Sequence, residues 1–211
     1  MTHNIKRVVV TGTVGVGKTT LIRSISDIKT VDTERKATDE TKLLKPNTTV
    51  SMDFGRIQIN NSTVLHLFGT PGQSRFDFMW DLLISRANAC ILLVSANRPH
   101  ESDRTRQIID FINKRVQIPM VVGMTHADFP GALSAERIAT NIGYGHGSNR
   151  PPFVTVNPTQ SISIKKLLQV VLKQLTTKQQ NQKPLRKISK YNLTNISKVN
   201  KVKNLSQVKF Y

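Results

Sequence analysis

A chain of 211 residues with 38% hydrophobic content has room for one domain of ordinary size plus a tail, and no apolar run in it nears the roughly 20 residues needed to cross a bilayer. A single cysteine, Cys90, excludes an intrachain disulfide, and its apolar surroundings at residues 89–94 mark it as a small core residue rather than a reactive thiol. The formal net charge of +18 is lopsided: Glu136 is the last acidic residue, and nine Lys and Arg side chains follow from Lys178 onward, half of the net charge.

The opening Met1-Thr2-His3-Asn4 leads straight into an apolar run, so no signal peptide is expected. That run, residues 5–11, predicts a strand. Residues 12–19 then read Gly-Thr-Val-Gly-Val-Gly-Lys-Thr, which satisfies every fixed position of the P-loop pattern G-x-x-x-x-G-K-[ST]. A helix is predicted over residues 18–27, in a helical pattern marked by Leu21, Ile22, Ile25 and Ile28. Strand, glycine turn and helix in that order are the context the pattern needs, whereas a glycine turn that binds nothing would not require all the fixed positions. The backbone N–H groups of Val14, Gly15, Val16, Gly17, Lys18 and Thr19 would converge on phosphate oxygens at the helix N-terminus, with Thr20 alongside. Lys18 would reach the β- and γ-phosphates, and the Thr19 hydroxyl would ligate Mg²⁺.

Residues 30–47 are polar and charged with both signs, and predict a long mobile loop, a length that usually signals function. Strands are predicted over residues 50–59 and 63–68, joined by the hairpin turn Asn60-Asn61-Ser62. A helix over 73–85, a strand over 89–95 and an amphipathic helix over 102–116, with Ile108, Ile109, Ile112 and Val116 on one face, come next. A strand over 118–124, a helix over 134–142, a strand over 153–156 and a helix over 162–176 complete the series. The pattern predicts an α/β fold in three layers: a six-stranded mixed sheet, five strands parallel and one antiparallel at the edge, with helices on both faces. Domain boundaries are expected at 1–177 for this unit and 178–211 for a basic tail. In the tail Leu193, Ile196, Val199, Val202, Leu205 and Val208 recur every third residue. At about 100° per residue these side chains wind around a helix instead of lining one face, so disorder or folding on a partner is expected.

Three further segments accompany the P-loop: Thr48-Thr49-Val50-Ser51-Met52-Asp53-Phe54, Phe68-Gly69-Thr70-Pro71-Gly72-Gln73-Ser74-Arg75-Phe76, and Thr125-His126-Ala127-Asp128. In order and spacing the sequence resembles the Ras-like small GTPases over residues 5–176. It is similar in particular to a bacterial group marked by T-T-V-x-M-D-F-G-R and L-F-G-T-P-G-Q-x-R-F. The resemblance implies that Thr49, with Thr48 as the alternative, ligates Mg²⁺ through its hydroxyl and touches the γ-phosphate through its N–H. It implies that the Gly72 N–H senses the γ-phosphate and that Gln73 orients the attacking water, making Gln73 and Lys18 the catalytic pair. Asp128 corresponds to the aspartate that accepts two hydrogen bonds from guanine N1–H and its 2-amino group, donors that adenine lacks. Thr125 and His126 stand where N-K-x-D has Asn and Lys, and Asn157-Pro158-Thr159 is a loose match to the last base loop. The aromatics Phe76, Phe78 and Trp80 read as packing rather than ligand contacts.

Two departures bear on rate. Gly69 replaces the aspartate that supports Mg²⁺ through water in most relatives, with Asp53 on the neighbouring strand as a candidate substitute. Val14 stands where many relatives have glycine, crowding Gln73 and any arginine supplied by a partner. The expectation is therefore a slow, Mg²⁺-dependent GTPase that binds GTP and GDP and acts as a regulatory switch read by activating and effector proteins. The alternative is a non-hydrolysing, nucleotide-dependent adaptor whose basic tail meets an acidic protein, membrane surface or nucleic acid. The ending Gln207-Val208-Lys209-Phe210-Tyr211 holds no prenylation box, so no covalent lipid anchor is expected. A cytoplasmic location follows, with weak peripheral contact at the inner membrane surface through the tail.

Overall fold

A computed structural model describes residues 4–30, 34–36, 47–49, 52–71, 78–145 and 150–181. Its strands are β1 (Asn4–Gly12), β2 (Glu34–Lys36), β3 (Asn47–Thr49), β4 (Asp53–Gln58), β5 (Thr63–Gly69), β6 (Ala89–Ser95), β7 (Met120–Thr125) and β8 (Phe153–Thr155). Its helices are α1 (Lys18–Ile25), α2 (Phe78–Ile84), α3 (Ser102–Arg115), α4 (Ala135–Asn141) and α5 (Ser161–Asn181). A single 3₁₀ turn, Pro99–Glu101, leads into α3. The main sheet runs in the order β4-β5-β1-β6-β7-β8. All its pairings are parallel except β4 with β5, so the antiparallel strand sits at the edge, as the hairpin pattern implied.

Period-two alternation explains why both faces are covered. In β1, Val8 and Val10 join the layer containing Leu21, Ile22, Leu167 and Val171, while Val9 joins the layer containing Trp80, Ile108 and Ile138. The first layer is α1 and α5, the second α2, α3 and α4. Strand β6 is buried at every position, the signature of a central strand with helices above and below. Cys90 lies on β6 with no exposure, and burial pushes its thiol up to about 12, which makes it inert at neutral pH. Truncating any of the fully buried leucines or isoleucines to alanine carries a typical cost of about 2–5 kcal/mol.

Local chemistry sets several element ends. Asn60 Oδ1 accepts from the backbone N–H groups of Ser62 at 3.0 Å and Thr63 at 2.9 Å, folding the β4–β5 turn. The Ser134 side chain accepts from the Arg137 N–H and caps α4. Helix α5 continues to Asn181. Trp80 is buried and donates from Nε1 to the Pro71 carbonyl at 3.3 Å, so it packs as core. Among the described residues no helix is long and apolar enough to cross a membrane.

One expectation is corrected. Residues 30–47 are not all loop: β2 pairs antiparallel with β3, Glu34 opposite Thr49 and Lys36 opposite Asn47. The predicted strand 50–59 is accordingly shorter, beginning at Asp53. A ribbon without an apolar face leaves no period-two hydrophobic signal, so local pattern reading misses it. Tail residues 182–211, Gly72, Gln73 and Phe76 lie outside the described residues.

Candidate functional site

The phosphate loop is the turn between the end of β1 at Gly12 and the start of α1 at Lys18. Gly17 is the helix N-cap at φ 103°, ψ 15°, a left-handed conformation that favours glycine. A β-carbon there would also stand 2.7 Å from Pro158 Cγ, so the loop packs directly on the segment that follows β8. Lys18 is 7% exposed, and its Nζ donates to the carbonyls of Gly12 at 2.8 Å and Thr13 at 2.7 Å. The ammonium is thus held against the loop. No acidic residue occupies the first turn of α1, and the N–H groups at a helix N-terminus favour an anion. Val14 is partly exposed in the loop, and Val16 is fully buried in the core.

Beside the loop, the Thr19 hydroxyl donates to Asp53 Oδ2 at 2.7 Å. Asp53 is 2% exposed and is the β4 partner of Gly69 on β5. A β-carbon at position 69 would come within 3.1 Å of both Asp53 Cβ and Oδ2, and within 2.9 Å of Ile22 Cδ1. A side chain at position 69 would crowd the Asp53 carboxylate, which enters this corner from the neighbouring strand. The sequence put Asp53 forward as the substitute from the neighbouring strand, and its cross-strand register with Gly69 sets its carboxylate beside that position. Thr70 continues the lining, its hydroxyl donating to Thr11 Oγ1 at 2.9 Å and its N–H to the Val10 carbonyl at 3.0 Å. A hydroxyl and a carboxylate meeting beside a helix N-terminus suit Mg²⁺, which takes few protein oxygens and completes its shell with phosphate and water. Among the described residues there is no group of three or more His, Cys, Asp and Glu that could hold a metal ion. Thr49 ends β3, and its backbone pairs with Glu34.

A cavity of about 670 Å³ extends from the phosphate loop to the ends of β7 and β8, lined by Gly15, Gly17, Thr20, His126, Asp128 and Pro158 among others. Its size is that of a site for a nucleotide-sized ligand. His126 sits at φ 56°, and its Nδ1 lies 3.0 Å from both Ser95 Oγ and Thr125 Oγ1. Burial and the Arg98 guanidinium hold the imidazole below its ordinary 6.5, opposed by Asp128 and Glu101. Thr125 is fully buried, its hydroxyl 3.4 Å from the Val94 carbonyl, and it meets the cavity wall through its contact with His126. Asp128 is exposed at the mouth. On the opposite wall Asn157 Oδ1 accepts from the Thr159 N–H at 3.0 Å and its hydroxyl at 2.8 Å, fixing the turn that carries Pro158. Sequence reading missed Phe129, an exposed wall residue whose ring meets His126 edge-on at 5.5 Å. No periodicity marks it.

Residues 27–141 match the model of a family described as "Conserved hypothetical ATP binding protein". The uncharacterized protein MJ1339 of Methanocaldococcus jannaschii is 35% identical over 92 residues, a match spanning 44% of this chain and 52% of that protein. Among solved structures, the Arl6 BBS3 small GTPase from Trypanosoma brucei, with bound nucleotide analogue GppNp, aligns at a TM-score of 0.61 and 16% identity. The alignment covers 82% of this chain and 99% of that one. The layer order and mixed sheet are those of the P-loop GTPase fold.

Proposed function

Because the chain belongs to the family of conserved hypothetical ATP binding proteins, and because its loop, cation corner and cavity adjoin one another, we propose that it binds GTP and GDP with Mg²⁺ and hydrolyses GTP slowly as a regulatory switch. The observation that carries this reading is Lys18, its ammonium drawn onto the Gly12 and Thr13 carbonyls at the mouth of a helix N-terminus. A triphosphate would meet that ammonium and the loop N–H groups. Thr19 and Asp53 would hold Mg²⁺, which supplies charge neutralisation at the transferring phosphoryl group. Gln73 would position the attacking water, and Thr49 and Gly72 would read the γ-phosphate. Val14 and the displaced carboxylate favour a low intrinsic rate. The unit would span residues 1–177, with the tail 178–211 supplying weak contact with acidic surfaces, and activating and effector proteins would read the bound nucleotide.

The family description names ATP, whereas Asp128 at the cavity mouth favours guanine, because its carboxylate can accept from both the N1–H and the 2-amino group. Calorimetric titration of the full-length protein with GTP, GDP and ATP, with and without Mg²⁺, tests this. Guanine nucleotides should bind at least tenfold tighter than ATP, and Asp128→Asn should remove most of that margin. Retention of neither purine nucleotide would overturn the reading, and tighter ATP binding would overturn the base assignment. A non-hydrolysing adaptor is favoured instead if binding is tight and single-turnover phosphate release is absent from both wild type and Val14→Gly.

A further inference from the structure

Three consecutive carbonyls of the phosphate loop face cations. Lys18 Nζ takes Gly12 and Thr13, as described, and Arg98 Nη1 donates to the Val14 carbonyl at 2.9 Å. The same Nη1 donates to Glu101 Oε1 at 2.7 Å, and Glu101 Oε2 accepts from the Thr13 hydroxyl at 2.5 Å. The contacts close a circuit that leaves the loop at Thr13, passes through the Glu101 carboxylate and Arg98 guanidinium, and returns at Val14. Both charged side chains are largely buried, 15% exposed for Arg98 and 14% for Glu101. Such a pair is little screened by solvent, and removing one member leaves the other uncompensated.

The circuit is mounted on fixed elements. The Arg98 N–H donates to the Ser95 carbonyl at the end of β6, and the Glu101 carbonyl accepts from Thr105 Oγ1 of α3 at 2.9 Å. What it constrains is a peptide plane. In a planar trans peptide the C=O of one residue and the N–H of the next point to opposite sides. With the Val14 carbonyl held toward Arg98, the Gly15 N–H must face the other way. Gly15 lines the 670 Å³ cavity and sits at φ 72°. Glycine tolerates either hand of backbone, so a flip of the Val14–Gly15 peptide is cheap unless something outside the loop opposes it.

We infer that Arg98, braced by Glu101, is a positioning residue that locks the Val14–Gly15 peptide with its N–H directed at bound phosphate. The inference rests on the nucleotide reading above. Arg98 acts through the main chain, its Nη1 engaged by the Val14 carbonyl and the Glu101 carboxylate.

Full-length wild type, Arg98→Ala, Arg98→Lys and Glu101→Gln, each with GDP and Mg²⁺, provide the test by calorimetry, phosphorus NMR of the bound β-phosphate and thermal unfolding without nucleotide. Arg98→Ala should weaken GDP binding by about tenfold and move the β-phosphate resonance. Arg98→Lys should recover most of both, because a single nitrogen makes the two bonds and an ammonium can replace it. Glu101→Gln should fall between them. A merely structural role would lower the unfolding temperature of the variants while leaving affinity and resonance at wild-type values, and that result overturns the inference. Should Arg98→Ala fail to fold, Glu101→Gln decides: a moved resonance supports the lock and an unmoved one overturns it. Absence of GDP binding by wild type overturns the nucleotide reading itself, a distinguishable failure.

Discussion

The end of the cavity at the phosphate loop and the end at β7 and β8, the phosphate end and base end of the proposed nucleotide site, are built differently. At the phosphate end the charged and hydroxyl groups are buried or nearly so and engaged with one another: Lys18 with two loop carbonyls, Thr19 with Asp53, Arg98 with Glu101 and Val14. At the base end Asp128, Phe129 and Thr159 stand exposed on turns, and His126 is held by hydroxyls of Ser95 and Thr125. The contrast teaches where specificity is adjustable. On the proposed nucleotide reading, a loop whose geometry is fixed by buried partners would bind phosphate whatever the base, whereas the turn residues would decide which purine follows.

The largest effect should come from the point where the two ends touch. Gly17→Ala places a β-carbon 2.7 Å from Pro158 Cγ and forces alanine to φ 103°. Nucleotide affinity should fall by at least about a hundredfold, and the unliganded protein should lose about 1–3 kcal/mol of stability. Calorimetry and denaturant unfolding measure the two losses. Near-normal GDP affinity in this variant would show that the ends are not mechanically joined.

An intermediate effect sharpens the phosphate end alone. Asp53→Asn should reduce the gain in GDP affinity that Mg²⁺ confers by about tenfold, with affinity in EDTA unchanged. Gly69→Asp in the wild-type background should destabilise, since its side chain meets the Asp53 carboxylate. Paired with Asp53→Ser, Gly69→Asp should restore part of the Mg²⁺ dependence. If Asp53→Asn leaves the Mg²⁺ gain intact, the carboxylate is structural and the cation is held elsewhere.

The smallest effect is pH-dependent and belongs to the base end. His126 is held below the ordinary 6.5 by burial and Arg98, and His66, on β5, by burial with Arg7 and Arg56. The unfolded chain takes up these protons near pH 6.5 while the folded one resists them. Stability is therefore fully present above that value and declines as pH falls through 6.5 toward the lowered folded values. Thermal unfolding of the nucleotide-free protein between pH 7.5 and 5.5 should record the decline, and His126→Asn should flatten part of it. An unchanged slope in that variant removes His126 from the account.

Much of this molecule was legible from its residues. Alternation of apolar runs with helical patterns placed the six main strands, whereas the faces taken by Val8, Val9 and Val10 emerged only in the packed sheet. The fixed positions of residues 12–19 located the turn between β1 and α1, because a left-handed Gly17 and a lysine at the first helical position leave few other uses for that pattern. Contacts between residues far apart in the chain were decided only by folding. The register that sets Asp53 against Gly69, the reach of Arg98 to Val14 and the packing of Pro158 on Gly17 depend on how strands and turns are brought side by side. The β2–β3 ribbon belongs with them, since polar strands carry no apolar period to announce a pairing. Local sequence fixes periodicity and turn chemistry through short-range sterics; which carboxylate or guanidinium faces a given carbonyl is set by the tertiary arrangement of elements that share no sequence neighbourhood.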